Sequence, residues 1–197
     1  MLPIFITNRT DAFVLQFMFL VWITTEVMWS RSRRPSGTAE IKDRLSGTGV
    51  ILGIWLGILT AYLAAYTAPR FAIRWQRTLF FDVGIALMAA GMALRWYSIH
   101  VLGKYFTVVV AIQPGQTIIS NGPYHFLRHP SYSGALLTIL GFGLALTNWL
   151  SILASLFFAA IGYSYRIAVE ERTLLASLGD PYREYMKRTK RIIPFVI

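Results

Sequence analysis

The chain has 197 residues, of which 55% are hydrophobic and only 14% charged, with a formal charge of +10 and no cysteine. A water-soluble domain carries about 25% charged residues. This composition argues against a soluble enzyme and against a nucleic-acid-binding module, and the missing cysteines exclude disulfides, thiolate nucleophiles and Cys-ligated metals.

The opening stretch "MLPIFITNRTDAF" has neither a basic n-region nor a small-residue cleavage site, so the first apolar run reads as a retained helix rather than a signal peptide. A bilayer core takes about 20 apolar residues per helix. Five runs meet or approach that length: 12–29, 47–68 (bounded by Pro69), 79–96, 132–147 and 150–165. Little more than Asn148 and Trp149 separates the last two, which requires an antiparallel helical hairpin. If the N-terminus lies outside, only Arg9, Arg70, Arg74 and Arg77 of the nineteen Lys and Arg residues fall on the outer side. The positive-inside rule then places the C-terminus in the cytoplasm. The expected fold is an all-α integral membrane protein, a single domain over 1–197 with about five transmembrane helices, three of them within 1–99.

Between the third and fourth runs the chain turns polar. "QPGQ" (113–116) and "NGP" (121–123) read as turns, and β-branched "YFTVVVAI" (105–112) as a short extended piece. Extended backbone cannot face lipid unpaired. The segment therefore sits at the membrane surface or lines a pocket, as a lid or floor for a ligand or as a plain connection. It ends in "YHFLRHPSYSG" (124–134), where Pro130 marks the start of the fourth helix. Arg128 and His129 beside a helix N-terminus suit an anion. They suit equally a snorkelling Arg and an interfacial His that anchor the helix.

A second polar group, "YSYRIAVEERTLL" (163–175), closes the fifth run. Arg166 and Glu170, four apart, share a helix face as an ion pair, with Glu171 and Arg172 pointing elsewhere. Both groups flank the final hairpin on the inner side, which is the arrangement expected if they converge on one cytoplasmic pocket. In the tail, Asp180 reads as an N-cap with Pro181 at the first helical position, and Lys187, Arg188, Lys190 and Arg191 as contacts to lipid headgroups. Glu26 is placed to snorkel from the inner end of the first helix. His100 and His125 lack a third ligand, so no metal site is expected. Walker, G-x-G-x-x-G and G-x-S-x-G patterns are absent.

"GPYHFLRHPSYSG" (122–134), "RIAVEERTLL" (166–175) and "LGDPYREYMKRTKRIIPF" (178–195) together resemble the isoprenylcysteine carboxyl methyltransferases over the last hundred residues or so. The first two spans match only in being spans. The resemblance implies that 100–197 is a catalytic half binding S-adenosylmethionine from the cytoplasm, and that the acceptor is the carboxylate of a prenylated cysteine. By motif position it implies cofactor contacts at Tyr124, His129, Pro130, Ser131, Tyr132 and Glu170, with Arg166 at the acceptor. The family's His-x-Leu-Val-like stretch falls on Gln116, Thr117, Ile118 and Ile119, where Gln replaces His, and Gln113 is the candidate for a further Gln upstream. Chemically, the cofactor's carboxylate suits Arg128 and His129, and its amine suits Glu170. A carboxylate acceptor is already ionised at neutral pH, so positioning and desolvation suffice for catalysis. Open alternatives are a membrane methyltransferase for a phospholipid amine or small thiol, an NADPH-dependent sterol-type reductase, and a non-enzymatic scaffold or transporter subunit. The expected partners are a lipid-like or prenylated substrate and the bilayer, without nucleic acid.

Overall fold

The computed structural model describes residues 7–32, 40–43 and 45–193. Arg33, Arg34 and Arg44, counted above among the inner basic residues, and residues 194–195 of the tail motif lie outside the described residues. The order is α1 (Arg9–Ser32), β1 (Glu40–Asp43), α2 (Leu45–Thr67), α3 (Arg77–Leu102), β2 (Val110–Ile112), α4 (Pro130–Ala145), α5 (Trp149–Leu178) and α6 (Asp180–Arg188). The all-α membrane class is borne out. Helices α1, α2, α3 and α5 are long and apolar enough to cross a membrane, whereas α4, with 16 residues, is apolar but shorter.

Two helix pairs build the bundle, and small residues explain both. α3 lies along α4 so closely that a Cβ on Gly91 would stand 2.5 Å from the Thr138 amide nitrogen, and one on Gly141 would stand 2.5 Å from the Gly84 carbonyl. α2 lies along α5 in the same way, with Gly53 against the Phe158 carbonyl and Gly162 against Gly49 and Val50. Helices in lipid gain no hydrophobic drive toward one another, so close backbone approach and dispersion must hold them. α1 sits outside this arrangement. It buries Leu15 and Trp22, and Trp22 meets Phe142 at the centre of the core, while Phe13, Phe17 and Leu20 stay exposed to the expected lipid.

The hairpin end is tied by Asn148. Its Oδ1 accepts from the amides of Leu150 and Ser151, capping α5, and its Nδ2 donates to the carbonyls of Ala64 and Ala68 at the end of α2. At the other end β2 forms the expected extended piece. Its partner is β1, which pairs antiparallel with Glu40 opposite Ile112 and gives the strand the hydrogen bonds it cannot find in lipid. The "QPGQ" and "NGP" turns hold Gly115 at φ 67° and Gly122 at φ 56°, a region glycine enters without a Cβ penalty.

Two helices outrun the hydropathy pattern. α3 continues past residue 96 to Leu102, and α5 past residue 165 to Leu178. Arg95, Arg166 and Glu170 lie inside these helices, as the third run and the four-residue spacing required. Their charges end the apolar pattern without ending the helix, because each is held by a partner described below.

Candidate active site

The cavity end of the bundle gathers the ends of α1, α2, α3, α4 and α5 and the 103–128 segment. Asp43 shapes one wall: its carboxylate accepts from the amides of Leu45 and Ser46 at 3.1 and 2.9 Å and starts α2. The Ser46 hydroxyl and these amides hold the Asp43 carboxyl below the usual range. Ser46, thereby fixed and fully buried, accepts from Arg166 Nη1 at 3.0 Å.

Arg166 is 4% exposed. Its Nε donates to the Tyr132 hydroxyl at 3.2 Å, and that hydroxyl donates to Glu170 Oε2 at 2.7 Å. The direct Arg166–Glu170 pair expected from the spacing is therefore replaced by a relay through Tyr132 on α4. Among the described residues, no carboxylate lies within ion-pair reach of Arg166. Arg166 thus meets Glu170 and Asp43 only across the neutral residues Tyr132 and Ser46, and its guanidinium keeps room for a direct anionic partner.

Glu171, read from sequence as pointing elsewhere, is a buried hub. It accepts from Arg128 Nε at 2.7 Å and from Arg191 Nε at 3.0 Å, with His129 Nε2 at 3.4 Å. Arg128 Nη1 also donates to the carbonyls of Met186 and Thr189. The segment after α6 runs beside 126–129, where the Lys190 and Arg191 carbonyls accept from the amides of Arg128 and His129 at 2.7 and 3.0 Å. Much of the expected anion-clamping capacity of Arg128 and the α4 N-terminus is thus spent on holding the tail. Of the tail's basic residues, Arg191 serves Glu171, while Lys187 pairs with Glu184 on the exposed surface. α6 begins at Asp180, which bonds Arg183, and Gly179 rather than Asp180 is the capping residue because its φ of 62° turns the chain.

His129 is buried, stacks on Tyr132 with ring centroids 5.5 Å apart, and places Nδ1 4.0 Å from Glu170. Its Nε2 lacks a well-aligned hydrogen bond. Tyr185 donates its hydroxyl to the carbonyls of Tyr124 and Leu127, so α6 holds the segment that carries Tyr124. Burial pushes the hydroxyls of Tyr124 and Tyr182 far up, helped by the Glu170 charge, and pushes Tyr185 up to about 12.

Two cavities meet here. The first, of about 840 Å³ including its open mouth, is lined by Gln116, Thr117, Ile118, Ile119, Tyr124, Arg128, His129, Ser131, Tyr132, Arg166 and Glu170, together with Leu174, Leu178, Tyr182 and Tyr185. The residues singled out from the sequence therefore face one space, with two exceptions. Pro130 is buried behind it as the first residue of α4, and Gln113 is buried in the adjoining turn, its amide bonded to Gln116 Oε1. The second cavity, of about 1040 Å³, opens between α1 and α2 and is mostly apolar, lined by Trp22, Ile23, Ile51, Ile54 and Trp55, among others. Phe106, Thr107, Tyr132 and Arg166 border both. Glu26 does not snorkel: both its oxygens are taken by Arg95, whose Nη1 also reaches the Ser131 carbonyl.

Helices of membrane-spanning length, with one cavity at the end of the bundle and an apolar cavity opening sideways, belong to a multi-pass membrane protein. Comparison with known proteins finds similarity over part of the chain. Residues 84–176 match the model of the isoprenylcysteine carboxyl methyltransferase (ICMT) family, so the resemblance carried by the motifs is borne out over that segment. A probable protein-S-isoprenylcysteine O-methyltransferase of Oryza sativa subsp. indica is 32% identical over 116 residues, 58% of this chain and 61% of that protein. The protein-S-isoprenylcysteine O-methyltransferase of Schizosaccharomyces pombe is 28% identical over 130 residues, 65% of this chain and 55% of that protein. The solved structure of a eukaryotic intramembrane Ras methyltransferase, ICMT, superposes with a TM-score of 0.58 at 26% identity, covering 79% of this chain and 55% of that one. The chain thus spans a little over half the length of the relatives it matches.

Proposed function

We propose that the chain is an S-adenosylmethionine-dependent methyltransferase acting on the carboxylate of an isoprenylcysteine or a similar lipid-like acid. One observation carries this reading: Arg166, a buried guanidinium without an acidic partner among the described residues, stands where the two cavities meet. An anion delivered through the apolar cavity completes it. The wall of that cavity holds Arg166, Arg95 and Glu26, a net single positive charge, which matches an acceptor with one carboxylate and an apolar chain.

The first cavity fits the cofactor. Glu170 has one oxygen engaged by Tyr132 and remains about a quarter exposed, which suits an ammonium or a sulfonium. Ile112, Ile118, Ile119, Leu174 and Leu178 supply an apolar wall for a purine. The His129 ring, the hydroxyl of Tyr124 and the backbone around Ser131 offer polar contacts. Because the Arg128 guanidinium is largely committed to the tail, it supports the pocket more than it clamps an anion. S-adenosylmethionine, when bound, supplies an electrophilic methyl group on a sulfonium.

The remaining work falls to this chain's own residues. Arg166 orients the acceptor carboxylate, and its bonds to neutral Tyr132 and Ser46 keep the guanidinium from drifting. No residue needs to remove a proton, since the acceptor is an anion at neutral pH. The apolar cavity strips water from the carboxylate and raises its reactivity. The orientation read from the charges, with the site toward the cytoplasm, lets a water-soluble donor and a membrane-borne acceptor arrive from different phases. The test is a thermal-shift titration of purified protein with S-adenosylhomocysteine and with NADPH. Stabilisation by the former alone is expected, and stabilisation by NADPH alone points to the reductase reading instead.

A further inference from the structure

The start of α2 is left over from this account. It passes directly beside Arg166, since a Cβ on Gly47 would stand 3.6 Å from Arg166 Nη1. Asp43 and Ser46 sit at this crossing, outside the 84–176 segment that matches the family model. Pairing of β1 with β2 sets Asp43 opposite Val110, and its two carboxylate oxygens take the amides of Leu45 and Ser46. The Ser46 hydroxyl, then those amides and the Arg166 charge, hold the Asp43 carboxyl below its usual range. Arg166 therefore stands between two acids, with Ser46 between it and Asp43 and Tyr132 between it and Glu170. Both acids lower the positive potential at the guanidinium, yet neither takes its N–H groups. Among the described residues, Nη2 makes no hydrogen bond.

The strength of that potential matters differently for binding and for transfer. In the transfer a carboxylate oxygen gives an electron pair to the methyl carbon, the methyl–sulfur bond breaks with its pair going to the sulfonium sulfur, and no proton moves. The acceptor's negative charge shrinks on the way to the transition state. A strong cation at Arg166 therefore stabilises the bound anion more than the transition state, which tightens binding and slows the step. We infer that Asp43, acting through Ser46, is a positioning residue that weakens the grip of Arg166 on the acceptor carboxylate. Ser46 is the spacer that keeps the acid near the cation without letting the two pair directly. The inference rests on the carboxyl methyltransferase reading and names a control on its acceptor site.

The experiment measures binding of N-acetyl-S-farnesylcysteine and of its methyl ester to protein saturated with S-adenosylhomocysteine. Indole fluorescence reports it, because Trp22, Trp29 and Trp55 line the apolar cavity. The readout is the Kd of the acid divided by the Kd of the ester: a disturbed cavity moves both ligands, and a changed field moves the anion alone. Asp43→Asn and Asp43→Ser each keep a neutral capping oxygen for α2. In both, the ratio falls by roughly 3-fold, a modest size because Asp43 is half-buried and water screens part of its field. Turnover carries the same signature, with KM for the acid falling and kcat falling by a smaller factor. Ser46→Ala removes the spacer and raises the ratio, since Arg166 can then close on Asp43. A ratio unchanged or raised in either Asp43 variant overturns the role of Asp43, and a merely structural cap gives one of those two results. A ratio unchanged or lowered in Ser46→Ala overturns the spacer. Saturable binding of neither compound overturns the carboxyl methyltransferase reading itself, and the inference with it.

Discussion

The two ends of the bundle use polar residues in opposite ways. At the hairpin end Asn148 is satisfied on both sides of its amide, and Ser151 donates to the Ala61 carbonyl at 2.7 Å. Among the described residues there, Thr147, held at φ 51°, leaves a buried hydroxyl unbonded. At the cavity end, among the described residues, Arg166 makes no direct ion pair, His129 Nε2 lacks an aligned hydrogen bond and Glu170 keeps free capacity. Completed polar networks fix a fold, and incomplete ones beside a cavity wait for a ligand. Substitutions at the two ends should therefore fail differently.

Arg166→Ala is expected to have the largest effect, lowering kcat by roughly 10²–10³-fold, the scale of removing a preorganised charge-stabilising group. Calorimetric binding of S-adenosylhomocysteine should change little, which separates the acceptor side from the donor side. Glu170→Gln comes next. It should weaken S-adenosylhomocysteine binding by about 10-fold, as the loss of one charge-assisted hydrogen bond predicts. Asn148→Ala belongs to the other end. It should cost about 1–2 kcal/mol of stability through the lost cap and leave turnover per folded molecule unchanged, as judged by melting and activity on one sample. The smallest effect is alkaline. The folded state holds the Tyr185 proton more tightly than the unfolded chain does, so its contribution is fully present below pH 10 and is lost as pH rises toward 12. Melting temperatures above pH 10 should fall more steeply for the native protein than for Tyr185→Phe.

The sequence made the spans, the hairpin and the shared cavity legible because each rests on local pattern: apolar run length, a two-residue link, a proline at a helix start. What escaped it was long-range. Spacing paired Arg166 with Glu170 directly, yet Tyr132 and Ser46, from α4 and α2, receive its guanidinium. Glu171 does point away from the Arg166–Glu170 pair, but spacing along one helix could not show that it is buried or what it meets. Its partners come from the start of α4 and from the tail, and the adjacent pair of glutamates was the available hint. Glu26 looked like an interfacial residue until α3 brought Arg95 against it. Tyr182 and Tyr185 line the first cavity from a helix whose sequence looked like a headgroup anchor. In each case a charge or hydroxyl was visible, and only the fold supplied its partner.

The most direct measurement follows a labelled methyl group from S-adenosylmethionine to N-acetyl-S-farnesylcysteine and asks what bond it forms. A carboxyl ester releases volatile labelled methanol on mild alkaline hydrolysis, and the account predicts this release for the native protein and its loss in Arg166→Ala. Label that resists alkali, as a methylated nitrogen or sulfur would, or release undiminished by Arg166→Ala, would contradict it.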